Sequence, residues 1–291
     1  MRSKCAIRPG ILLYPVIAGS DSARYFPFKA LSMRSRESPF QPAARIVALM
    51  LALFCSTFSR ADTLSIGVAA NLQFVFGALQ AAFEKQTGHR LQPSFNSSGR
   101  LATQIQLGAP LDLFLSADMA FPEQLHQSGQ TAGAPAVYAK GILVLWTRKP
   151  LDLAHWQRSL ASADVKRIAL ASPTAAPYGR EALRALTFYQ LQASLQPKLV
   201  FAESISQVNQ YVDSQAVDAG FTAKSVVVSA AMQGKGRWIE VPAEAYQPIA
   251  QGMVITRHGD RHHREAVRQL HAFLLSAPAR AIFASDGYQL P

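Results

Sequence analysis

The chain has 291 residues, 49% of them apolar, and a formal charge of +11, which is length enough for one large or two medium domains. Residues 1–61 hold 9 basic and 2 acidic side chains, leaving 20 basic and 16 acidic in residues 62–291, a net of +4. The later segment has no basic stripe interleaved with aromatic residues, so the charge does not argue for a nucleic-acid partner.

The basic excess belongs to a leader. Arg45 precedes the apolar run Ile46 to Cys55, and Ser59-Arg60-Ala61 supplies small residues at −3 and −1 of a cut after Ala61. That pattern predicts a secretory signal; the run is too short for a membrane span, which needs about 20 residues. A lipoprotein anchor at Cys55 would require a small residue where Phe54 stands. Met33, followed by Arg34, Arg36 and Arg45, would begin a signal of ordinary length, making residues 1–32 candidates for untranslated sequence. Both cysteines, Cys5 and Cys55, lie in the leader, so the exported chain has neither disulfide nor thiol chemistry.

After Ala61, strands alternate with helices. Thr63 to Ala70 predicts a buried strand entering Asn71, and Leu72, Val75, Phe76, Leu79 and Phe83 line one face of a helix closed by Gly88. Leu91 to Phe95 is a second strand. It stops at Asn96-Ser97-Ser98-Gly99, and after Arg100-Leu101 the amphipathic run Ala102 to Leu107 follows, ended by Gly108. Further strands are expected at Asp112–Ser116, Gly141–Trp146, Arg167–Ala171, Leu199–Ala202, Ala219–Thr222 and Met253–Thr256. Helices are expected near Pro122–Leu125, after Tyr178, after Ser204, over Lys224–Met232, over Arg264–Leu275 and from Ala277. Trp238 to Pro248 is expected to be a loop, and Ser204 with Gln207 has capping-box spacing.

Alternation of this kind predicts an α/β fold with mainly parallel sheets flanked by helices, and two such runs predict two lobes. Ligands of open α/β sheets sit beyond the carboxyl ends of strands. Four turns occupy such places: Ala70-Asn71, Ser97-Ser98-Gly99, Ala176-Pro177-Tyr178-Gly179 and Ser204-Ile205. None contains lysine or arginine. Backbone N–H groups at helix starts, an amide and hydroxyls would hold an anion by hydrogen bonds and dipoles without a countercharge. The plainer alternatives are that Asn71, Ser97 or Ser98 only caps a helix, that the Tyr178 ring packs, and that Ile205 is core.

The segments Val68-Ala69-Ala70-Asn71, Phe95 to Gly99, Gly108-Ala109-Pro110, Asp112 to Asp118, Ala176 to Gly179 and Gly287-Tyr288 recur in order through residues 62–291. In these segments the chain resembles the periplasmic molybdate-binding proteins of ABC importers. The resemblance implies a two-lobed periplasmic binding protein of type II with the ligand cleft between the lobes. Residues 62–144 with 250–291 would form the first lobe and 145–249 the second. It implies a monomer that takes molybdate or tungstate as ligand, needs no cofactor, binds no bare metal ion, and delivers to an inner-membrane permease. Carried over, Asn71 and Ser98 would donate from side chain and backbone, and Ala70, Tyr178 and Ile205 from backbone N–H groups. Some members add a tyrosine hydroxyl after the strand at Gly220-Phe221; here Thr222-Ala223 stands instead.

The rival classes are a hydrolase and a carrier of another oxyanion such as sulfate or phosphate. No Gly-x-Ser-x-Gly elbow, phosphate loop or dinucleotide fingerprint occurs, and His89, His126, His155 and His271 are scattered. His258, His262 and His263 cluster in a polar run, which predicts a solvated helix start more readily than a metal site because little carboxylate accompanies it. A protonated oxyanion would call for a carboxylate acceptor; Glu203 is the one such neighbour of the four turns.

Overall fold

A computed structural model describes residues 61–291, so the expected signal and the region around Met33 lie outside the described residues. In chain order the strands are β1 (Thr63–Ala69), β2 (Arg90–Asn96), β3 (Leu113–Leu115), β4 (Ala136–Gly141), β5 (Leu143–Thr147), β6 (Ile168–Ala171), β7 (Leu199–Ala202), β8 (Ala219–Ala223), β9 (Arg237–Glu240) and β10 (Ile249–Ile255). The helices are α1 (Phe76–Thr87), α2 (Ser98–Gln106), α3 (Ala120–Gln127), α4 (Trp156–Ala161), α5 (Pro177–Phe188), α6 (Gln192–Leu195), α7 (Ile205–Asp213), α8 (Lys224–Val227), α9 (Arg257–His262), α10 (Arg264–Leu274) and α11 (Ala277–Ser285).

The strands form two five-stranded sheets, ordered β2-β1-β3-β10-β4 and β7-β6-β8-β5-β9. In each, three strands run parallel, β1 with β2 and β3, β6 with β7 and β8. Two antiparallel strands complete each sheet: β10 then β4 in the first, β5 then β9 in the second. The parallel strands β1, β3, β6 and β8 and the antiparallel β5 are nearly or wholly buried, as strands covered on both faces must be.

Phe76, Leu79 and Phe83 turn one face of α1 onto the first sheet, where the Phe83 ring meets Phe273 of α10 at 5.6 Å between centroids. Gly88 ends α1 at φ 78°, a left-handed cap that favours glycine. Trp146, Trp156, Phe221 and Leu186 anchor the second core. Each such fully buried side chain contributes about 1.5–3 kcal/mol.

Four expectations change in detail. The helix expected from Asn71 is a 3-10 turn over Ala70–Leu72, a short break, and then α1. The single strand expected over Gly141–Trp146 is the join of β4 and β5, which belong to different sheets. Leu143 and Val144, expected in the first lobe, therefore pair with Ala223 and Thr222 in the second. The first three residues of the expected loop Trp238 to Pro248 belong to β9, and the expected helix over Lys224–Met232 is α8 followed by a 3-10 turn at Ala230–Met232.

Candidate functional site

The structure gathers Ala70, Asn71, Ser98, Tyr178 and Ile205, all five expected site residues, around one small cavity between the sheets. Ala69, Ser97, Ala117, Ala176 and Pro177 complete its lining. No charged side chain lines it. Larger hollows exist, such as a groove of about 450 Å³ bordered by Arg100, Gln104, Gln106 and Gln124, but these side chains face open solvent.

Each turn presents backbone N–H groups because a helix begins there. Ser97 is the N-cap of α2 in extended conformation (φ −65°, ψ 148°), yet its side chain makes no capping bond. Its buried Oγ has no partner. Ser98 Oγ accepts from Ala117 N–H at 2.9 Å, so its own hydrogen remains to be given. In the second lobe Pro177 opens α5 and has no N–H, which makes that of Tyr178 the first donor of the helix. A Cβ on Gly179 would stand 1.9 Å from Ala171 O, so only glycine lets this helix start so close to the end of β6. Ile205 opens α7 with its side chain buried in the second core. Ser204 Oγ caps that helix at Gln207 N (3.4 Å), while Gln207 Oε1 accepts from Glu203 N rather than closing the expected box.

Beneath the cavity lies a buried polar network from distant parts of the chain. Asn71 Nδ2 bonds Gln251 Oε1 at 3.0 Å and Tyr288 Oη at 3.2 Å, leaving Asn71 Oδ1 buried without a partner. Gln251 Nε2 reaches Tyr178 Oη across the lobes at 3.0 Å, and Tyr138 Oη lies 2.8 Å from Gln251 Oε1 and 2.9 Å from Ser116 O. Burial raises the hydroxyls of Tyr138, Tyr178 and Tyr288 above the ordinary tyrosine value, so each keeps its one proton. One hydrogen on Tyr138 cannot serve two acceptors. Turning both amides over resolves this. Tyr138 then donates to Ser116 O and accepts from Gln251, Tyr178 donates to Gln251, and Tyr288, which also lies 3.0 Å from Asn71 O, gives its one hydrogen to Asn71 Oδ1 instead, leaving Asn71 O to Ser225 Oγ (3.2 Å). In that arrangement Asn71 Nδ2 takes the unpaired position and needs an acceptor.

The lobes are closed on this site. Gly99 N donates to Ala175 O at 2.9 Å, and Ser206 Oγ bonds Gln73 Oε1 at 2.6 Å. Asp118, beside the cavity, is buried and paired with Arg180 of α5 at 2.9 Å. Glu203 does not line the cavity; it pairs with Arg100 at the rim (2.7 Å), both more than half exposed, a contact worth at most about 1 kcal/mol. Thr222 donates from Oγ1 to Asn209 Oδ1 and does not line the cavity. Ser97, a hydroxyl in the turn, lines the cavity beside the five expected residues, while Gln251 has no local sequence signal.

A sequence model of bacterial extracellular solute-binding proteins matches residues 64–289. The chain is 34% identical to the molybdate-binding protein ModA of Azotobacter vinelandii over 248 residues, covering 85% of this chain and 98% of that one. It is 32% identical to ModA of Rhodobacter capsulatus over 246 residues, covering 84% and 95%. The solved structure of the A. vinelandii periplasmic molybdate-binding protein superimposes with a TM-score of 0.73 at 35% identity, covering 78% of this chain and 99% of that one.

Proposed function

The chain belongs to the bacterial extracellular solute-binding proteins, and from that premise we propose that it captures molybdate, with tungstate as a second ligand, for import by an ABC transporter. The observation that carries this reading is the convergence of three helix starts and one 3-10 turn on a cavity with no charged lining. Each helix N-terminus is equivalent to roughly +0.5 charge, so the set suits a doubly negative ion without a lysine or arginine. The similarity to the two ModA proteins supplies the identity of that ion.

In this reading the N–H groups of Ala70, Asn71, Ser98, Tyr178 and Ile205 and the hydroxyl of Ser98 replace the ion's water. The Asn71 amide donates in its turned-over orientation. Desolvating a dianion is costly, and affinity follows from how completely these donors restore the lost hydrogen bonds. Binding holds the lobes shut, and the closed form docks on a membrane permease. The lobe boundaries fall at the two crossings of the chain, one between Gly141 and Leu143, the other between Glu240 and Ile249. The working place is the periplasm, reached by the leader ending near Ala61, and the working form is a monomer.

The cavity lining has no histidine, carboxylate or thiol, so it supports binding rather than catalysis. It also offers no carboxylate acceptor to a protonated oxyanion, which favours molybdate over hydrogen phosphate; sulfate is the closer rival. Calorimetric titration with molybdate, tungstate, sulfate and phosphate side by side tests the assignment. Saturable heat with molybdate and tungstate is expected; binding of sulfate or phosphate alone would overturn it.

A further inference from the structure

The two sheets repeat one device at equivalent places. Asp112 directly precedes β3 and Asp218 directly precedes β8, and each of these strands runs parallel beside the first strand of its sheet's βαβ run. Asp112 N donates to Ser65 O (2.7 Å) and Asp218 N to Arg167 O (2.8 Å). Asp112 Oδ2 accepts from Ser65 N (2.7 Å) and Asp218 Oδ2 from Arg167 N (2.8 Å). A threonine stands at the end of the neighbouring antiparallel strand in both lobes: Thr147 donates its hydroxyl to Asp218 O, while the Thr256 hydroxyl faces Leu111 O and, at 3.2 Å, Asp112 O. Two residues beyond each threonine the repeat diverges. Lys149 places an ammonium on Asp218 Oδ1, whereas the matching residue in the first lobe is His258.

Asp112 Oδ1 therefore faces imidazoles in place of a fixed cation. His263 Nδ1 lies 2.9 Å away and His258 Nε2 3.8 Å away, and the three ligand atoms are within 4.8 Å of one another. The carboxylate is 1% exposed, while the two histidine side chains are 32% and 29% exposed, giving a buried anion with a solvent entrance. From this geometry we propose that Asp112, His258 and His263 form a binding site for a borderline divalent cation of the zinc class, separate from the interlobe cavity. Donors bonded at 2.0–2.1 Å in a tetrahedron stand about 3.3–3.4 Å apart, between the two separations to Oδ1. Two imidazoles with one carboxylate, water completing the shell, suit zinc, nickel or copper over calcium or magnesium. The carboxylate is oriented from behind by Ser65 N–H, as ligating carboxylates are. Its backbone is held by α9, where a Cβ on Gly259 would stand 2.3 Å from Asp112 O. Arg257 and Arg261 border the adjoining hollow, together with His262, whose ring centroid lies 4.5 Å from that of His258 at a tilt of 35°. Their charge lowers the affinity without occupying the three ligand atoms.

The test is a zinc titration of the untagged full chain carrying Cys5→Ser and Cys55→Ser, in competition with a chromophoric chelator, with Co²⁺ absorption as a second readout. One ion per chain is expected, with tetrahedral Co²⁺ bands. His258→Ala and His263→Ala should each weaken binding at least about tenfold, and His155→Ala in the other lobe should leave it unchanged. Molybdate titration of the same variants checks that they are folded. His258→Ala decides the matter should His263→Ala fail to fold, because it leaves the Asp112–His263 pair in place. Absence of saturable zinc binding, or zinc binding that His258→Ala does not change, overturns the proposal.

Discussion

Gly99 and Ala175 touch across the cleft: the Gly99 N–H donates to Ala175 O at 2.9 Å, and a Cβ on Gly99 would stand 3.0 Å from Ala175 Cα. The backbones of the two lobes meet here, one residue after Ser98 and one before Ala176, both of which line the cavity. A Cβ here would press on Ala175 Cα, the Phe121 ring and Ala175 O at 3.0–3.1 Å, and a branched side chain would press harder. Gly99→Val should prop the lobes apart and lower molybdate affinity by about tenfold or more, because the closed form becomes a minor population. Small-angle scattering in saturating molybdate should show a larger radius of gyration than the parent chain.

Ser97 and Ser98 should separate binding from stability. Ser98→Ala removes the hydroxyl proposed to donate to the ion and strands the Ala117 N–H that Ser98 Oγ accepts, so both affinity and stability should fall, the former by about 1–3 kcal/mol, or 5–150-fold. Ser97 Oγ is buried with no partner, so Ser97→Ala should leave the ligand-free melting temperature unchanged or slightly raised. Calorimetry and thermal melts of the pair check the contrast.

Tyr178 has two roles that one substitution divides. Its N–H belongs to the α5 start, while its hydroxyl meets Gln251 across the lobes at 3.0 Å. Tyr178→Phe keeps the N–H and removes the bond that orients Gln251 and, through it, Asn71. Affinity should drop by about 0.5–1.5 kcal/mol with one-to-one stoichiometry retained. A loss as large as that of Ser98→Ala would mean the hydroxyl itself contacts the ion.

Asp218 sets an acid limit on stability. Burial pushes its carboxyl up, but Lys149 and the N–H groups of Arg167 and Lys166 outweigh this and hold it below the ordinary 3.8. A folded value lower than the unfolded one stabilises the protein fully above about pH 3.8, and this is lost as pH falls through the folded value. Asp218→Asn should destabilise the chain by about 1–3 kcal/mol at pH 7 and flatten its stability profile below pH 4, as read by urea titrations.

The turns were legible before any coordinates because each joins a strand end to small or hydroxyl residues at a helix start, a local pattern. Ala70, Asn71, Ser98, Tyr178 and Ile205 could be named on that basis and from the family resemblance. Gln251 and Tyr288 could not be placed under Asn71, because bonds spanning 180 and 217 residues leave no local trace. The crossing at Ile142 was hidden for another reason. Gly141 to Trp146 is one apolar run, and hydropathy does not register that Leu143 pairs with Ala223 while Gly141 pairs with Ile249. The carboxylate facing the histidine run escaped notice because Asp112 lies far from it in sequence and meets it only once β10 lies beside β3.

β10 lies between β3 and β4, so the sheet that the chain starts first is the one it finishes last. Made amino end first, the chain can assemble all five strands of the second sheet while β4 still waits for β10. The half of the vice that begins at Thr63 therefore stays incomplete until Ile255 is made, and no ion can be gripped before then.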